Sequence, residues 1–163
     1  MLLDIKKLIH SNTPAQSCSF AAQFAPQDLP VGFLMPVPAQ VSYEAHHEGD
    51  GAALSMDILC DAVIRCDRCL AEVPRTYRFR AEHLVRESDW TSDEPELPLS
   101  SQGVLDLEKL CYDELMLNLP SSLLCKPDCQ GLCPVCGKPR ELGCGCRQNV
   151  GDDRLSILQQ LLS

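Results

Sequence analysis

Residues 125–146, CKPDCQGLCPVCGKPRELGCGC, contain six of the 11 cysteines of this 163-residue chain. A further pair, Cys66 and Cys69, forms a C-x2-C motif in the segment IRCDRCL. Two cysteines at this spacing can wrap one metal ion while backbone amides hydrogen-bond the thiolates. We therefore interpret the cysteine-rich segment as a metal-binding module.

The eight clustered cysteines divide into two groups of four. Cys133 and Cys136 form the knuckle CPVCG, and Cys144 and Cys146 follow close behind, so these four can close one tetrahedral site. A second site would then tie the module to the earlier motif, and its ligands would be Cys66, Cys69, Cys125 and Cys129. The spacing leaves open an exchange in which Cys129 replaces Cys144 or Cys146.

Sites made of four thiolates suit Zn²⁺, although the same ligands also hold a single iron or an iron–sulfur cluster. Because four sulfurs close a tetrahedral zinc site, we expect one or two structural Zn²⁺ ions. A thioredoxin-like role for Cys66 and Cys69 is disfavoured, since the flanking residues alternate as strands and do not form a βαβ unit. Cys18, Cys60 and Cys111 are interpreted as ordinary thiols.

Composition predicts a soluble cytoplasmic protein with no membrane span. The formal charge is −9, which argues against a nucleic-acid binder that uses its whole surface. No apolar run approaches the roughly 20 residues of a membrane span, and the N-terminus does not read as a signal peptide. An odd number of cysteines without a secretory signal also disfavours a disulfide framework.

Hydrophobic periodicity predicts an α+β fold. A period of two over residues 39–45, 54–65 and 72–86 predicts three antiparallel strands, with a turn at 48–51 and with Cys66 and Cys69 at the tip of the second hairpin. Before them, residues 1–38 predict at most short strands near 2–7 and 17–24. The prediction is an antiparallel sheet with a helix, a zinc-ribbon-like module and a C-terminal helix.

Two helices are predicted in the second half of the chain. Asp106 would cap the first, which Pro120 ends, and its apolar positions are Leu107, Leu110, Cys111 and Leu117. Asp152 or Asp153 would cap the second, whose stripe is Leu155, Leu158, Leu161 and Leu162. We divide the chain into a mainly β region, 1–104, and a region 105–163 that contains the module at 125–146, the two forming one compact unit.

The segment 87–104 is predicted to be a solvated acidic loop. Trp90 within it folds back onto the sheet in one interpretation and anchors a partner in the other. His83 falls on the apolar phase of its strand, which predicts a core histidine with satisfied hydrogen bonds. No phosphate-binding loop, nucleophile elbow or zinc-protease motif is present, so no catalytic residue and no small-molecule substrate are predicted.

Basic residues concentrate in two places. Residues 65–86 carry six arginines against three acidic residues, and residues 125–147 carry four basic against two acidic residues. The candidates for a contact with RNA are Arg78, Arg80 and Arg86, on the outer face of the predicted hairpin. The alternative is a solvated strand face on which these arginines pair with acidic neighbours. The acidic remainder favours a basic protein partner.

The order of these motifs resembles a known family. The hairpin CDRCL precedes the helix end ELMLNLP, the run CKPDCQGLCPVCG, a C-x-C pair and the segment DDRLSILQQLL. Together they resemble the YceD-type large ribosomal RNA subunit accumulation proteins over about residues 50–162. Lys138, Pro139 and Arg140 depart from the family pattern, which more often continues with a small residue, Asn and Leu.

The resemblance implies a non-enzymatic factor in ribosome biogenesis that supports accumulation of large-subunit ribosomal RNA. Its partner would be a ribosomal protein or a large-subunit assembly intermediate, with a contact to ribosomal RNA. The alternative from a different class is a rubredoxin-like iron protein that transfers electrons or senses redox state through the CPVCG site.

Overall fold

The computed structural model describes residues 1–10, 15–92 and 95–146. The strands are β1 (Leu2–Asp4), β2 (Gln16–Ala22), β3 (Phe33–Leu34), β4 (Ala39–Glu48), β5 (Gly51–Arg65), β6 (Glu72–Arg86) and β7 (Val104–Asp106). The helices are α1 (Ile5–His10), α2 (Glu87–Thr91) and α3 (Leu107–Asn118), and short 3-10 helices span Pro26–Asp28 and Arg140–Leu142. The α+β class predicted from periodicity is confirmed.

The main sheet is antiparallel and has the order β2-β4-β5-β6, with β3 pairing with the end of β5. A two-residue turn joins β4 to β5, and Gly49 adopts the φ of +61° that this tight turn requires. The second hairpin is longer, since β5 and β6 pair without interruption from Gly51 opposite Arg86 to Arg65 opposite Glu72. The predicted three-stranded meander is therefore present, and β2 extends it on one side.

Alternation along the strands separates an inner from an outer face. On β5 the even-numbered residues from Ala52 to Ile64 are buried, whereas the odd-numbered residues are exposed or half-buried. α1 contacts β4 and β5 on the inner face, and α3 contacts β6. Burying a large apolar side chain here contributes about 1.5–3 kcal/mol. The core thus lies between one sheet face and the helices.

Helix α3 begins where the sequence predicts. Asp106 Oδ1 accepts hydrogen bonds from the backbone N–H groups of Glu108 (3.1 Å) and Lys109 (3.3 Å), which caps the helix. The buried stripe differs at its end, because Leu115 is buried and Leu117 is 79% exposed. At about 100° per residue Leu117 falls at the rim of the stripe, so its assignment to the apolar face was wrong.

The N-terminal segment corrects the prediction of a strand near residues 2–7. Only Leu2–Asp4 is extended, and it pairs antiparallel with β7. A helix follows because Asp4 Oδ1 accepts the N–H of Lys7 at 2.8 Å, and Ile5 and Leu8, three residues apart, are both buried. The short alternation of apolar residues in this segment concealed the helical spacing.

The acidic segment 87–104 is more ordered than predicted. Its beginning forms α2, where Asp89 Oδ2 accepts the N–H of Arg86 at 2.8 Å. Trp90 is only 6% exposed and belongs to the core, and its ring lies close to Gly103. The interpretation of Trp90 as a core residue is confirmed, and the partner-anchor interpretation was wrong.

The longest described helix is α3, with twelve residues, and none of the described helices has the length and hydropathy that crossing a bilayer requires. The C-terminal helix predicted from Asp152 or Asp153 lies outside the described residues.

Candidate metal centres

The tip of the second hairpin presents Cys66 and Cys69. The Cys66 N–H donates to Ala71 O at 2.9 Å, and the Leu70 N–H donates to Cys66 O at 2.9 Å. Leu70 takes a φ of +62°, a conformation that costs a non-glycine residue free energy and that the turn enforces. The two strands thereby hold the C-x2-C pair at a fixed position.

The chain after α3 returns to this tip and binds it through its backbone. The Asp67 N–H donates to Leu123 O at 2.8 Å, and Asp67 Oδ2 accepts the Leu123 N–H at 2.7 Å. Farther along, the Leu132 N–H donates to Arg68 O at 3.2 Å. Gly131 lies beside this contact with a φ of +74°, and a Cβ there would meet Arg68 O at 2.9 Å, so only glycine fits.

These contacts bring four sulfurs together from distant parts of the chain. Cys66 Sγ lies 3.8 Å from Cys129 Sγ, and Cys69 Sγ lies 3.6 Å from Cys125 Sγ. All four sulfurs lie within 4.8 Å of one another. A tetrahedral zinc site with Zn–S bonds of about 2.3 Å has sulfurs about 3.8 Å apart, so the four cysteines fit a zinc ion. We call this group the hairpin tetrad.

A second group forms within the module itself. The sulfurs of Cys133, Cys136, Cys144 and Cys146 also lie within 4.8 Å of one another. The knuckle is closed by the Gly137 N–H, which donates to Cys133 O at 2.8 Å. Cys133 is buried, whereas Cys136 is exposed. We call this group the module tetrad. The two groups contain the same cysteines as the preferred partition of the sequence.

Each tetrad contains one cysteine whose pKa is lowered by the surrounding fold, which favours its thiolate form. Burial alone would raise the pKa of Cys66, but the backbone N–H groups of Cys125, Cys69 and Arg68 lower that pKa to about 6. The N–H groups of Cys136 and Val135, with the thiol of Cys144, likewise lower the pKa of Cys133 to about 6. Thiolate character at neutral pH is what a metal ligand needs.

In each tetrad a neighbouring thiol has a raised pKa. The Cys129 side chain, together with burial, raises the pKa of Cys125 to about 12, and the Cys136 side chain and burial raise that of Cys146 to about 12. A thiol that hydrogen-bonds a neighbouring cysteine and is partly desolvated holds its proton more tightly, so the chain alone keeps some thiols protonated. A divalent cation would displace these protons and allow all four sulfurs of a tetrad to ligate.

Two arginines surround the hairpin tetrad, and sequence reasoning did not identify them. Arg68 Nη1 donates to Cys129 O at 2.9 Å, and Arg75 Nη2 donates to Cys125 O. Both guanidinium groups therefore hold the ligand-bearing backbone and place positive charge beside the thiolates. Two features of the sequence could have pointed to these arginines. Arg68 lies between Cys66 and Cys69, and Arg75 belongs to the odd-numbered residues of β6, which are on the inner face.

The three arginines predicted as candidates for RNA contact lie along the outer face of β6, apart from both tetrads. Arg80 Nε lies 3.0 Å from Glu82 Oε1, and Arg86 Nε lies 3.2 Å from Asp50 Oδ1. Arg78 is exposed and makes no ion pair with the described residues. Two of these side chains are therefore paired locally, and Arg78 alone presents an unpaired charge.

The remaining cysteines lie outside both tetrads. Cys18 is exposed on β2, whereas Cys60 on β5 and Cys111 on α3 are fully buried. Burial, with the nearby Asp61, raises the pKa of Cys60 to about 11, and burial, with Cys60 close by, raises that of Cys111 to about 12. The two buried thiols are neutral core side chains.

His83 lies on the inner face as predicted, but it is only partly satisfied. Its Nε2 lies 3.1 Å from Glu114 Oε1 on α3, yet within the described residues it forms no hydrogen bond of acceptable geometry. The expectation of a satisfied core histidine was therefore wrong. The pair is nevertheless well buried, with side chains 19% and 13% exposed, and it joins β6 to α3.

The chain is similar to one known protein family and to several individual proteins. A family model described as large ribosomal RNA subunit accumulation protein YceD matches residues 54–162. Uncharacterized proteins of Mycobacterium bovis and Mycobacterium tuberculosis are each 30% identical over 144 residues, which cover 77% of this chain and 70% of the relative. One from Mycobacterium leprae is 24% identical over 104 residues, covering 61% and 48%. No solved structure matches.

The matched region begins in β5 and includes both tetrads, the hairpin tip and α3. It covers well over half of the chain. The chain therefore belongs to the YceD family of large ribosomal RNA subunit accumulation proteins.

Proposed function

We propose that this protein is a non-enzymatic ribosome biogenesis factor that supports the accumulation of large-subunit ribosomal RNA. The observation that carries the proposal is the family match over residues 54–162. The region that the family model matches includes most of the hairpin, all of α3 and every cysteine of the two tetrads.

Both tetrads are proposed to bind structural Zn²⁺. Four thiolates complete the coordination of zinc and leave no open position for a substrate, so the metal would supply cross-linking and not catalysis. In the hairpin tetrad the ion would join β5–β6 to the module, and in the module tetrad it would hold the knuckle to Cys144 and Cys146. The zinc ions would thus replace core packing in a segment with few apolar residues.

The proposed partner is a basic ribosomal protein, bound alone or within a large-subunit assembly intermediate. The chain carries a formal charge of −9, and eight thiolates with two dications would bring it to about −13. Such a field attracts basic surfaces and accelerates their encounter. Arg78 is the outward-facing group best placed for a local contact with ribosomal RNA.

We propose that the protein acts in the cytoplasm.

Affinity capture from cells at graded salt tests the proposal. We expect ribosomal proteins or large-subunit particles to be recovered at low salt and lost as salt rises, since charged contacts are screened. Arg78→Ala should reduce recovery of ribosomal RNA more than Arg80→Ala, because Arg80 already pairs with Glu82. Recovery of neither ribosomal proteins nor large-subunit particles would contradict the assignment.

The visible spectrum of the purified protein separates the two functional classes. A colourless protein with bound zinc agrees with a structural role. A red or brown iron protein that cycles reversibly between oxidation states would favour the rubredoxin-like alternative and contradict the proposal.

A further inference from the structure

The two edges of the main sheet differ in how they resist pairing with another chain. β6, at one edge, carries Pro74 and a row of arginines and glutamates, which are common protections of an edge strand. β2, at the other edge, reads QSCSFAA and has no charged residue and no proline. It pairs with β4 over seven residues without a bulge, from Gln16 opposite Ala45 to Ala22 opposite Ala39. β2 is therefore an unprotected edge.

The hairpin register identifies the backbone groups at this edge. Glu48 and Gly51 flank the two-residue turn and form a hydrogen-bonded pair, so the even-numbered residues of β4 bond to β5 and the odd-numbered ones to β2. On β2 the partners of those odd-numbered residues are even-numbered. The N–H and C=O groups of Ser17, Ser19 and Ala21 consequently point away from the sheet.

The alternation continues across β5, whose even-numbered residues bond to odd-numbered residues of β6. The N–H and C=O groups of the even-numbered β6 residues therefore point away from the sheet. Pro74 is one of them, and it lacks an N–H. Proline is tolerated in a sheet only where its nitrogen faces away from the ladder, so the position of Pro74 supports the derived register independently.

The outward groups of β2 have no strand partner in the described part of the chain. No described strand lies beyond β2, and the backbone hydrogen bonds found there do not involve Ser17, Ser19 or Ala21. The nearest polar contact is the Cys18 thiol, 3.6 Å from Ser19 O. All three residues are exposed, so a strand can reach them.

The outer face beside this edge carries one acidic residue, Glu44, that a basic strand would complement. Across the β2–β4 pair, Ser17 lies opposite Glu44 and Ser19 lies opposite Ser42. Glu44 is exposed and makes no ion pair with the described residues. A strand added to β2 would lie two spacings of about 4.8 Å from β4, and a long basic side chain crossing the small Ser17 can approach Glu44 over that distance.

We propose that the β2 edge binds an extended basic segment of a protein partner by strand addition. The main chain of the segment would pair with Ser17, Ser19 and Ala21. Its apolar side chains would cover Cys18 and the half-buried Phe20 on the inner face, and its basic side chains would face Glu44. This rests on the proposed function, for which it names the site of a basic protein partner.

A basic segment is favoured over a second copy of this chain by charge. Each copy carries −9, so two copies repel one another, whereas a basic segment is attracted. Pairing of β2 with β2 of a second copy would also leave Glu44 without a counter-charge.

Amide hydrogen exchange on the wild-type, metal-loaded protein tests the proposal directly. The probe is a synthetic heptapeptide of alternating lysine and valine, with a glutamate–valine peptide of equal length as its control. In the free protein the amides of Ser17, Ser19 and Ala21 should exchange fast, and those of Cys18 and Phe20 should be protected. The lysine peptide should slow the first three by about tenfold or more, since each gains a strand partner, and the glutamate peptide should not.

Variants test the same contact by affinity. Ser19→Pro removes an outward donor and should weaken binding of the lysine peptide about tenfold, whereas Ser19→Ala keeps the donor and should bind like wild type. Glu44→Gln should weaken binding about two- to fivefold and reduce its salt dependence. If circular dichroism shows that Ser19→Pro is unfolded, Ala21→Pro takes its place, and the exchange experiment needs no variant.

Three results would overturn the proposal: unchanged exchange at Ser17, Ser19 and Ala21 with the lysine peptide, equal binding of the acidic peptide, or a dimer in which these amides are protected without peptide. Failure of the proposed function looks different. Wild-type capture of no ribosomal component contradicts the function, whereas capture that survives Ser19→Pro in folded protein contradicts only the β2 site.

Discussion

The sulfur of Cys66 lies 3.8 Å from the sulfur of Cys129, although the two cysteines are 63 positions apart in the chain. One belongs to the tip of the long β hairpin and the other to the module after α3. Both are nearly completely buried. Because of this proximity, a metal ion bound at the hairpin tetrad would cross-link the sheet and the module.

Replacing a ligand of the hairpin tetrad should remove one metal ion and loosen the module. Cys129→Ser should reduce bound zinc from two ions to one per chain and lower the midpoint of thermal unfolding by roughly 10 °C, because metal binding and folding of such segments are coupled. Inductively coupled plasma mass spectrometry and a thermal scan provide the two readings.

The matched control for this variant is Cys18→Ser, which changes an exposed cysteine outside both tetrads. It should keep two metal ions and the wild-type midpoint. Retention of two ions by Cys129→Ser, with an unchanged midpoint, would remove Cys129 from the set of ligands.

A chelator should empty the module tetrad before the hairpin tetrad. Cys136 is exposed and the module ligands lie within fourteen residues of chain, whereas backbone bonds to Asp67 and Arg68 enclose the hairpin tetrad. Zinc release followed with a colorimetric indicator should therefore be biphasic, with rates that differ by about tenfold or more. Cys133→Ser should abolish the fast phase alone; loss of the slow phase instead would reverse the assignment.

Arg68 should raise the zinc affinity of the hairpin tetrad without being a ligand. Its guanidinium donates to Cys129 O at 2.9 Å, so Arg68→Gln should lower zinc affinity at this tetrad by about tenfold and leave the module tetrad unchanged. Competition with a chelator of known affinity measures the two constants. Arg80→Gln serves as the control, since Arg80 pairs with Glu82 on the outer face, and an equal loss in both variants would refute the role of Arg68.

The buried thiols of Cys60 and Cys111 should make the protein less stable at alkaline pH. Burial raises the pKa of Cys60 to about 11 and that of Cys111 to about 12, from an ordinary value of 9.0. Because the folded state holds both thiols protonated, their contribution to stability is complete below pH 9 and is lost as the pH rises toward 11–12.

Cys60→Ala and Cys111→Ala should each reduce the steepness of this loss by up to about 1.4 kcal/mol per pH unit. Urea unfolding at a series of pH values above 9 measures the free energy in each variant, with Cys18→Ala as the exposed control. A variant whose pH dependence equals that of wild type would show that its thiol does not titrate in this range.

Strong periodicity made much of the fold predictable. The alternation over β4, β5 and β6 fixed which residues face the core, and the capping Asp106 located the start of α3. α1 was missed because its six residues offer only two buried side chains, Ile5 and Leu8, and its cap lies in a strand residue, Asp4. Short elements depend on such tertiary contacts more than on propensity.

Spacing favoured the observed grouping of the cysteines, since each C-x2-C or C-x-C pair can share one ion, but it left open an exchange of Cys129 with Cys144 or Cys146. The roles of Arg68 and Arg75 did not follow, because a donor to a backbone carbonyl is set by how the module docks on the hairpin. The unprotected edge at β2 was equally hidden. It emerges only when the register of Ser17, Ser19 and Ala21 against β4 is known.

The most direct test of the two-site account is native mass spectrometry of the purified protein, read together with its visible spectrum. We predict a colourless chain that carries two zinc ions and that, after acid denaturation, has the mass of the fully reduced polypeptide. A metal-free chain lighter by the hydrogens lost to disulfide bonds, or a coloured chain that carries iron, would contradict the account.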